Sequence, residues 1–101
     1  MNTQAVTLIN VLTCDPANQR PLLDLLRENT DTVITTLEGW ISTNFVASAD
    51  GERVVIISQW RDQAAAQAMQ ADPRMGAYFP RIAALASFDS IAGSIDYSRA
   101  A

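Results

Sequence analysis

The amino-acid sequence predicts an α+β fold in which strands and helices follow one another in the order β-α-β-β-α-β. Two apolar stretches with alternating side chains flank Asp50-Gly51, a strong signal for a hairpin turn. A stretch with apolar residues at helical spacing precedes this hairpin, and an alanine-rich stretch follows it. With a strand predicted at each end of the chain, the pattern indicates an antiparallel sheet with both helices on one side, the ferredoxin-like arrangement.

The first half of the chain supplies one strand and one long helix. The strand is predicted over Val6–Leu12, where Leu8 and Asn10 share a face. The helix is expected to begin after Asn18, its N-cap, and to run to about Leu37. The remaining elements are predicted as strands over Trp40–Ala49 and Arg53–Trp60, helices over Gln63–Gln70 and Met75–Leu85, and a last strand over Ile91–Tyr97.

The two hairpin strands are apolar on both faces. Val54 and Ile56 point to one side of the third strand, and Val55 and Ile57 point to the other. A sheet with one face in water would carry polar residues at alternate positions. The sequence therefore predicts one domain, residues 1–101, whose outer sheet face is covered by a second copy in a dimeric α+β barrel.

Composition narrows the function classes. The 101 residues carry a formal charge of −4, and the seven basic residues, all arginine, are scattered rather than clustered. This distribution does not favour a nucleic-acid partner. No apolar stretch approaches the ~20 residues of a membrane span, and no secretory signal is visible at Met1–Gln4. We expect a cytoplasmic protein that does not associate with membranes.

Histidine is absent, and Cys14 is the only cysteine. Catalysis by a Ser-His-Asp triad and His-ligated zinc, iron or haem are thereby excluded. The sequence has no glycine-rich phosphate loop and no group of acids at metal-ligand spacing. It therefore predicts no metal and no cofactor, and Cys14 is interpreted as a small buried residue.

Two residues are the main candidates for a binding site. Trp60 ends an apolar strand, where it could be a core or interface aromatic or could line a pocket. Asn10 lies in the middle of the first strand, where it could face solvent or act as a ligand for a carbonyl or phenol. Tyr78 and Arg81 are further candidates, although both could equally face solvent.

Several short motifs in the stretch Asp15–Pro73 resemble the antibiotic-biosynthesis monooxygenase family, especially the small anthrone oxygenases of aromatic polyketide pathways. The motifs are Pro16-Ala17-Asn18-Gln19, Glu38-Gly39-Trp40, Ala47-Ser48-Ala49-Asp50-Gly51, Val54-Val55, Ser58-Gln59-Trp60 and Ala71-Asp72-Pro73-Arg74. The resemblance implies a homodimer that oxidises a phenolic anthrone to a quinone with O₂, using neither metal nor flavin.

The resemblance also implies roles for single residues. Trp60 and Asn10 match active-site positions of the family and are the predicted catalytic pair: Asn10 would hold the substrate oxygen, and Trp60 would shape the pocket and donate its indole N–H. The predicted substrate-binding residues are Asn44, Ser58, Tyr78 and Arg81. Where such enzymes often carry Asn, Tyr or His, this chain has Ile56, Ala66 and Val46.

Two other functions fit the same fold. A polyketide cyclase or isomerase would act on similar substrates without consuming oxygen. A non-enzymatic dimer that binds a small molecule would need no group that transfers protons.

Overall fold

The computed structural model describes residues 5–101 and confirms the predicted antiparallel α+β fold. The strands are β1 (Val6–Cys14), β2 (Trp40–Ala47), β3 (Arg53–Trp60) and β4 (Ala86–Gly93), and the helices are α1 (Gln19–Thr32), α2 (Gln63–Ala71) and α3 (Pro73–Ala83). The sheet order is β2-β3-β1-β4, with every neighbouring pair antiparallel. Residues 1–4, where the sequence predicts no secretory signal, lie outside the described residues.

The core lies between the helices and the inner face of the sheet, and it consists of two apolar clusters. The first contains Leu8, Val33, Ile34, Trp60, Ala65, Ala66, Met69 and Met75, and the second contains Leu12, Leu22, Leu23, Leu25, Leu26, Val54 and Ile82. The inner strand positions follow the alternation that the sequence predicts, because successive side chains of a strand point to opposite faces. Leu8 and Asn10 consequently lie on the same face, as expected.

The last strand was predicted at the wrong place. The expected range was Ile91–Tyr97, whereas β4 spans Ala86–Gly93 and pairs with β1 from Cys14↔Ala86 to Thr7↔Gly93. Polar residues such as Asp89 occupy this strand, which lies at the edge of the sheet where its outer side can meet solvent. The prediction followed the apolar alternation from Ile91 to Tyr97 and therefore placed the last strand too far toward the C-terminus.

The first helix is shorter than predicted, and its N-cap residue makes no capping bond through its side chain. It ends at Thr32, and a single 3₁₀ turn at Ile34–Thr36 follows it. Asn18 makes no capping hydrogen bond through its side chain. Instead, Asp15 accepts a hydrogen bond from the Ala17 N–H at 2.9 Å and caps the preceding 3₁₀ turn.

Two aspartate side chains cap the N-termini of the second and third helices. The Asp62 carboxylate accepts a hydrogen bond from the Ala65 N–H at 2.8 Å at the start of α2. This bond holds the pKa of Asp62 below its usual range, because the charged form is the better acceptor. Asp72 both ends α2 and begins α3, where it accepts a hydrogen bond from the Arg74 N–H at 2.8 Å. No linker separates the two helices.

Gly39 joins the first helical segment to β2 with a φ of +84°, in the left-handed region that glycine adopts readily. Its carbonyl accepts a hydrogen bond from the Arg61 N–H at 2.7 Å, which ties this turn to the end of β3. A Cβ atom at Gly39 would lie 2.5 Å from the Ala65 Cβ. Only glycine therefore lets α2 approach the turn this closely.

The outer face of the sheet is apolar at its centre. Val55 and Ile57 of β3 are only partly buried there, and Val46 and Ile91 are among the exposed large apolar residues. This is the face for which the sequence predicts a second copy, and dimer formation stays a prediction. No helix within residues 5–101 is long and apolar enough to cross a membrane.

Candidate functional site

A cavity of about 460 Å³ lies between the sheet and the helices. Its lining includes members of both apolar clusters, among them Leu8 and Leu12, so it lies between the two. The cavity reaches the surface beside Phe79 and Phe88, which are 38% and 52% exposed. Its size falls within the roughly 300–1,000 Å³ of pockets that hold small molecules.

Ser58 and Trp60 form a hydrogen-bonded pair on the sheet wall of this cavity. Both lie on the inner face of β3, because they are two residues apart. The indole Nε1–H of Trp60 donates to Ser58 Oγ at 3.2 Å, and Trp60 is fully buried. The serine oxygen thus has one of its two lone pairs engaged, while its hydroxyl hydrogen remains to be donated. A direct hydrogen bond from Trp60 to a ligand would require this pair to separate.

Asn10 lies on the same wall, one strand away, and its side chain is held by β4. The Ser90 hydroxyl donates a hydrogen bond to Asn10 Oδ1, and both residues line the cavity. With the amide oxygen directed at Ser90, the amide N–H groups are the donors that Asn10 can offer to a ligand. The register between β1 and β3 thus brings Asn10, Ser58 and Trp60 onto one face of the sheet.

A buried amide faces these groups from the helical side. Asn29 lies on α1, lines the cavity and is 5% exposed. Its Oδ1 atom is buried and accepts no hydrogen bond from any of residues 5–101. Leaving a buried polar atom without a partner is costly, so most such atoms in folded proteins are hydrogen-bonded.

Three of the predicted substrate-binding residues lie outside the cavity. Asn44 is exposed on the outer face of β2, where it pairs with Ile57. The Tyr78 hydroxyl lies 3.3 Å from Thr32 Oγ1 and joins α3 to α1. The Arg81 guanidinium lies 5.4 Å from the centre of the Tyr78 ring.

Arg81 also forms an ion pair with Glu28, at 3.5 Å and with both side chains more than half exposed. This contact again joins α3 to α1. Tyr78 packs against both apolar clusters. Together, Tyr78 and Arg81 hold the two helices together rather than line the space beneath them.

Sequence reasoning missed five polar residues of the cavity wall: Asn29, Thr30, Thr43, Gln70 and Ser90. One of them carried a visible signal. Asn29 follows Leu26 by three residues and precedes Val33 by four, so it lies on the apolar stripe of the helix. A polar amide at such a position is unusual, because buried amides require partners.

The wall contains no charged residue among those the structure describes. Between residues 5 and 101, no three His, Cys, Asp or Glu side chains are grouped closely enough to hold a metal ion. Cys14 is only partly buried, rather than buried as expected; it lies outside the lining, and its thiol donates to the Gly51 carbonyl at 3.6 Å. Burial raises the pKa of this thiol, which favours the protonated form.

Comparison with known proteins gives one family and several relatives. The model of the antibiotic biosynthesis monooxygenase family matches residues 5–81. Among curated proteins, the tetracenomycin-F1 monooxygenase of Streptomyces glaucescens is 44% identical over 73 residues, which cover 72% of this chain. The aligned part spans 65% of the length of that relative.

Two solved structures from Streptomyces share the fold across nearly the whole chain. The monooxygenase ActVA-Orf6 of Streptomyces coelicolor, determined with nanaomycin D, superimposes with a TM-score of 0.83 at 22% identity, covering 98% of this chain and 93% of that one. SnoaB of Streptomyces nogalater, a cofactor-independent oxygenase, superimposes with a TM-score of 0.81 at 18% identity, covering 95% and 97%. At these identities the two likenesses support the fold.

Proposed function

This chain belongs to the antibiotic biosynthesis monooxygenase family, and we propose that it oxidises a phenolic polyketide anthrone to a quinone with O₂, without a metal or organic cofactor. The observation that carries the proposal is the cavity of about 460 Å³, which is mostly apolar and has hydrogen-bond donors on its sheet wall. The curated relative is a tetracenomycin-F1 monooxygenase, which supports an aromatic polyketide as the substrate class.

The proposed reaction assigns the redox chemistry to the substrate. Loss of a proton from the anthrone methylene carbon to water gives an enolate, which transfers electrons to O₂. A carbon–oxygen bond forms to give a peroxide anion, which takes up a proton from water, and loss of water then leaves a carbonyl group. One anthrone and one O₂ thus give one quinone and one water. The protein has to hold the substrate away from solvent and stabilise the negative oxygen of the enolate.

Ser58 and Asn10 are the proposed donors to that oxygen. The Ser58 hydroxyl accepts the indole N–H of Trp60 at 3.2 Å, and this bond polarises its own O–H toward a ligand. The Asn10 amide is oriented by its bond to Ser90. Trp60 accordingly acts by positioning Ser58 and by closing the cavity, and not by touching the enolate oxygen.

The proposal is tested by measuring oxygen uptake and quinone formation with emodin anthrone, using chelator-treated protein. We expect acceleration above the spontaneous rate that survives chelation. Ser58→Ala should lower kcat by on the order of 10²-fold, the usual effect of removing one oxyanion donor. Trp60→Phe should have a smaller effect, because the hydroxyl remains and only its polarising partner is lost.

Ser87→Ala is the matched control, since Ser87 is exposed and lies on the opposite face of the sheet. It should turn over at the wild-type rate. Equal turnover rates for Ser58→Ala and Ser87→Ala would show that Ser58 does not contribute to catalysis. Failure to accelerate oxygen uptake with any of several anthrones would overturn the oxygenase assignment in favour of the cyclase or the binding protein.

A further inference from the structure

We propose that Asn29 is the residue that selects substrates carrying a free hydroxyl group, by accepting a hydrogen bond from that hydroxyl at its Oδ1 atom. The proposal rests on the proposed function in that it takes the cavity to hold an aromatic substrate. It adds an acceptor on the helical wall to the donors on the sheet wall.

The acceptor oxygens on the sheet side of the cavity are already engaged by neighbouring side chains. Three of its oxygens already accept hydrogen bonds from neighbouring side chains: Asn10 Oδ1 from Ser90, Ser58 Oγ from Trp60, and Thr43 Oγ1 from Trp40. Each oxygen keeps one lone pair, and the residues also offer N–H and O–H donors. These donors favour a ligand that presents an acceptor, such as a carbonyl or an enolate oxygen, to the sheet.

The helical side presents the opposite polarity. Asn29 Oδ1 is buried and accepts nothing from residues 5–101, although the side chain lines the cavity. Rotation about χ2 of asparagine is broad, so an amide whose oxygen is not held can turn that oxygen toward a ligand. A hydroxyl group would supply the missing donor, whereas a methoxy group would not and would leave the atom without a partner.

The two walls together favour a ligand with an acceptor at one edge and a hydroxyl group at the other. A phenolic polyketide that retains its hydroxyl satisfies both requirements, whereas its O-methylated counterpart satisfies only one. Sites that hydrogen-bond a substrate hydroxyl discriminate strongly against analogues that lack it, because the polar group of the protein is then buried without a partner. The reaction proposed for this cavity would accordingly precede any O-methylation of that hydroxyl.

The test compares the binding of 2-hydroxyanthraquinone and 2-methoxyanthraquinone by isothermal titration calorimetry, in mildly acidic buffer that keeps the phenol protonated. We expect the wild-type protein to prefer the hydroxy compound by tenfold or more, which corresponds to about 1.4 kcal/mol. Asn29→Leu should lose this preference. Leucine has nearly the shape of asparagine and a higher helix propensity, so the variant is expected to fold.

Asn18→Leu is the matched control, because Asn18 precedes the same helix, lies outside the cavity lining and makes no capping bond through its side chain. It should keep the wild-type preference. Equal binding of the two compounds to the wild-type protein would overturn this proposal alone. Binding of neither compound would overturn both this proposal and the aromatic site it rests on.

Two further outcomes would count against Asn29 itself. A preference for the hydroxy compound that persists in Asn29→Leu would assign the acceptor to another residue. A large fall in the thermal midpoint of Asn29→Leu would show that the amide holds the fold and not a ligand. Asn29→Ala, which also removes the amide, provides a second variant for the same binding comparison of the two quinones and should likewise lose the preference.

Discussion

Replacing Gly39 by alanine tests how tightly α2 is held against the turn that leads into β2. The residue has a φ of +84°, and the added Cβ would lie 2.5 Å from the Ala65 Cβ. Real Cβ atoms essentially never approach so closely. Since Ala65 is buried in the first turn of α2, relief of this contact requires that the backbone of the helix or of the turn moves.

The size of the effect follows from two separate costs. An L-residue in the left-handed region costs about 1–2 kcal/mol, and forcing an extra carbon into a packed site costs about 1–3 kcal/mol. Gly39→Ala should therefore lower the free energy of unfolding by about 2–5 kcal/mol. This is a large part of the roughly 5–15 kcal/mol that stabilises a typical domain.

Two other glycines separate these costs. Gly51 has a φ of +80°, but the atom nearest to an added Cβ is Pro16 Cβ at 3.3 Å, so Gly51→Ala should lose only about 1–2 kcal/mol. Gly76 lies inside α3 with nothing within 4 Å of the added atom. Gly76→Ala should therefore stabilise the protein by up to about 1 kcal/mol.

The assay is urea unfolding followed by far-ultraviolet circular dichroism, with all variants at one protein concentration. The expected order of stability is Gly76→Ala, wild type, Gly51→Ala and then Gly39→Ala. Equal losses for Gly39→Ala and Gly51→Ala would refute the argument from the contact with Ala65. Adding Ala65→Gly to Gly39→Ala should recover part of the loss, and a strictly additive double mutant would refute it as well.

Two further predictions concern the surface. The outer sheet face should mediate a homodimer, so Ile57→Asp is expected to give a monomer in size-exclusion chromatography with light scattering. Thr13→Asp, at the exposed end of the same face, should leave the dimer intact. A monomeric wild-type protein would contradict this. Arg81→Ala should leave KM within about twofold of the wild-type value and the free energy of unfolding within about 1 kcal/mol of it, because the ion pair of Arg81 with Glu28 is exposed. A tenfold rise in KM would show that Arg81 binds the substrate.

Strand alternation was the part of the site that sequence could predict. Because side chains alternate strictly along a strand, the pattern placed Ser58 and Trp60 on one face of the third strand, and Leu8 and Asn10 on one face of the first. It could not show that Ser58 takes the indole N–H of Trp60, since both a free and a bonded N–H fit the same spacing. That bond changes the proposed role of Trp60 from donor to positioning residue.

The helices and the last strand were harder to predict for different reasons. Tyr78 and Arg81 could not be placed, because a small shift in helical phase decides whether a residue faces the sheet or a neighbouring helix. Asn29 was overlooked because the surrounding leucines already explained the stripe. The polar residues of β4 gave no apolar alternation to detect, so the strand was predicted at Ile91–Tyr97 rather than at Ala86–Gly93.

The shared cap at Asp72 has a consequence for how this fold can acquire new specificities. It divides the helical cover into segments of nine and eleven residues that contribute different parts of the cavity wall, Met69 from the first and Met75 and Phe79 from the second. The side chains of each segment can be replaced by larger or smaller ones without altering β3, the strand that carries Ser58 and Trp60. The shape of the cavity can thus change between homologous proteins while the polar groups of the sheet stay the same.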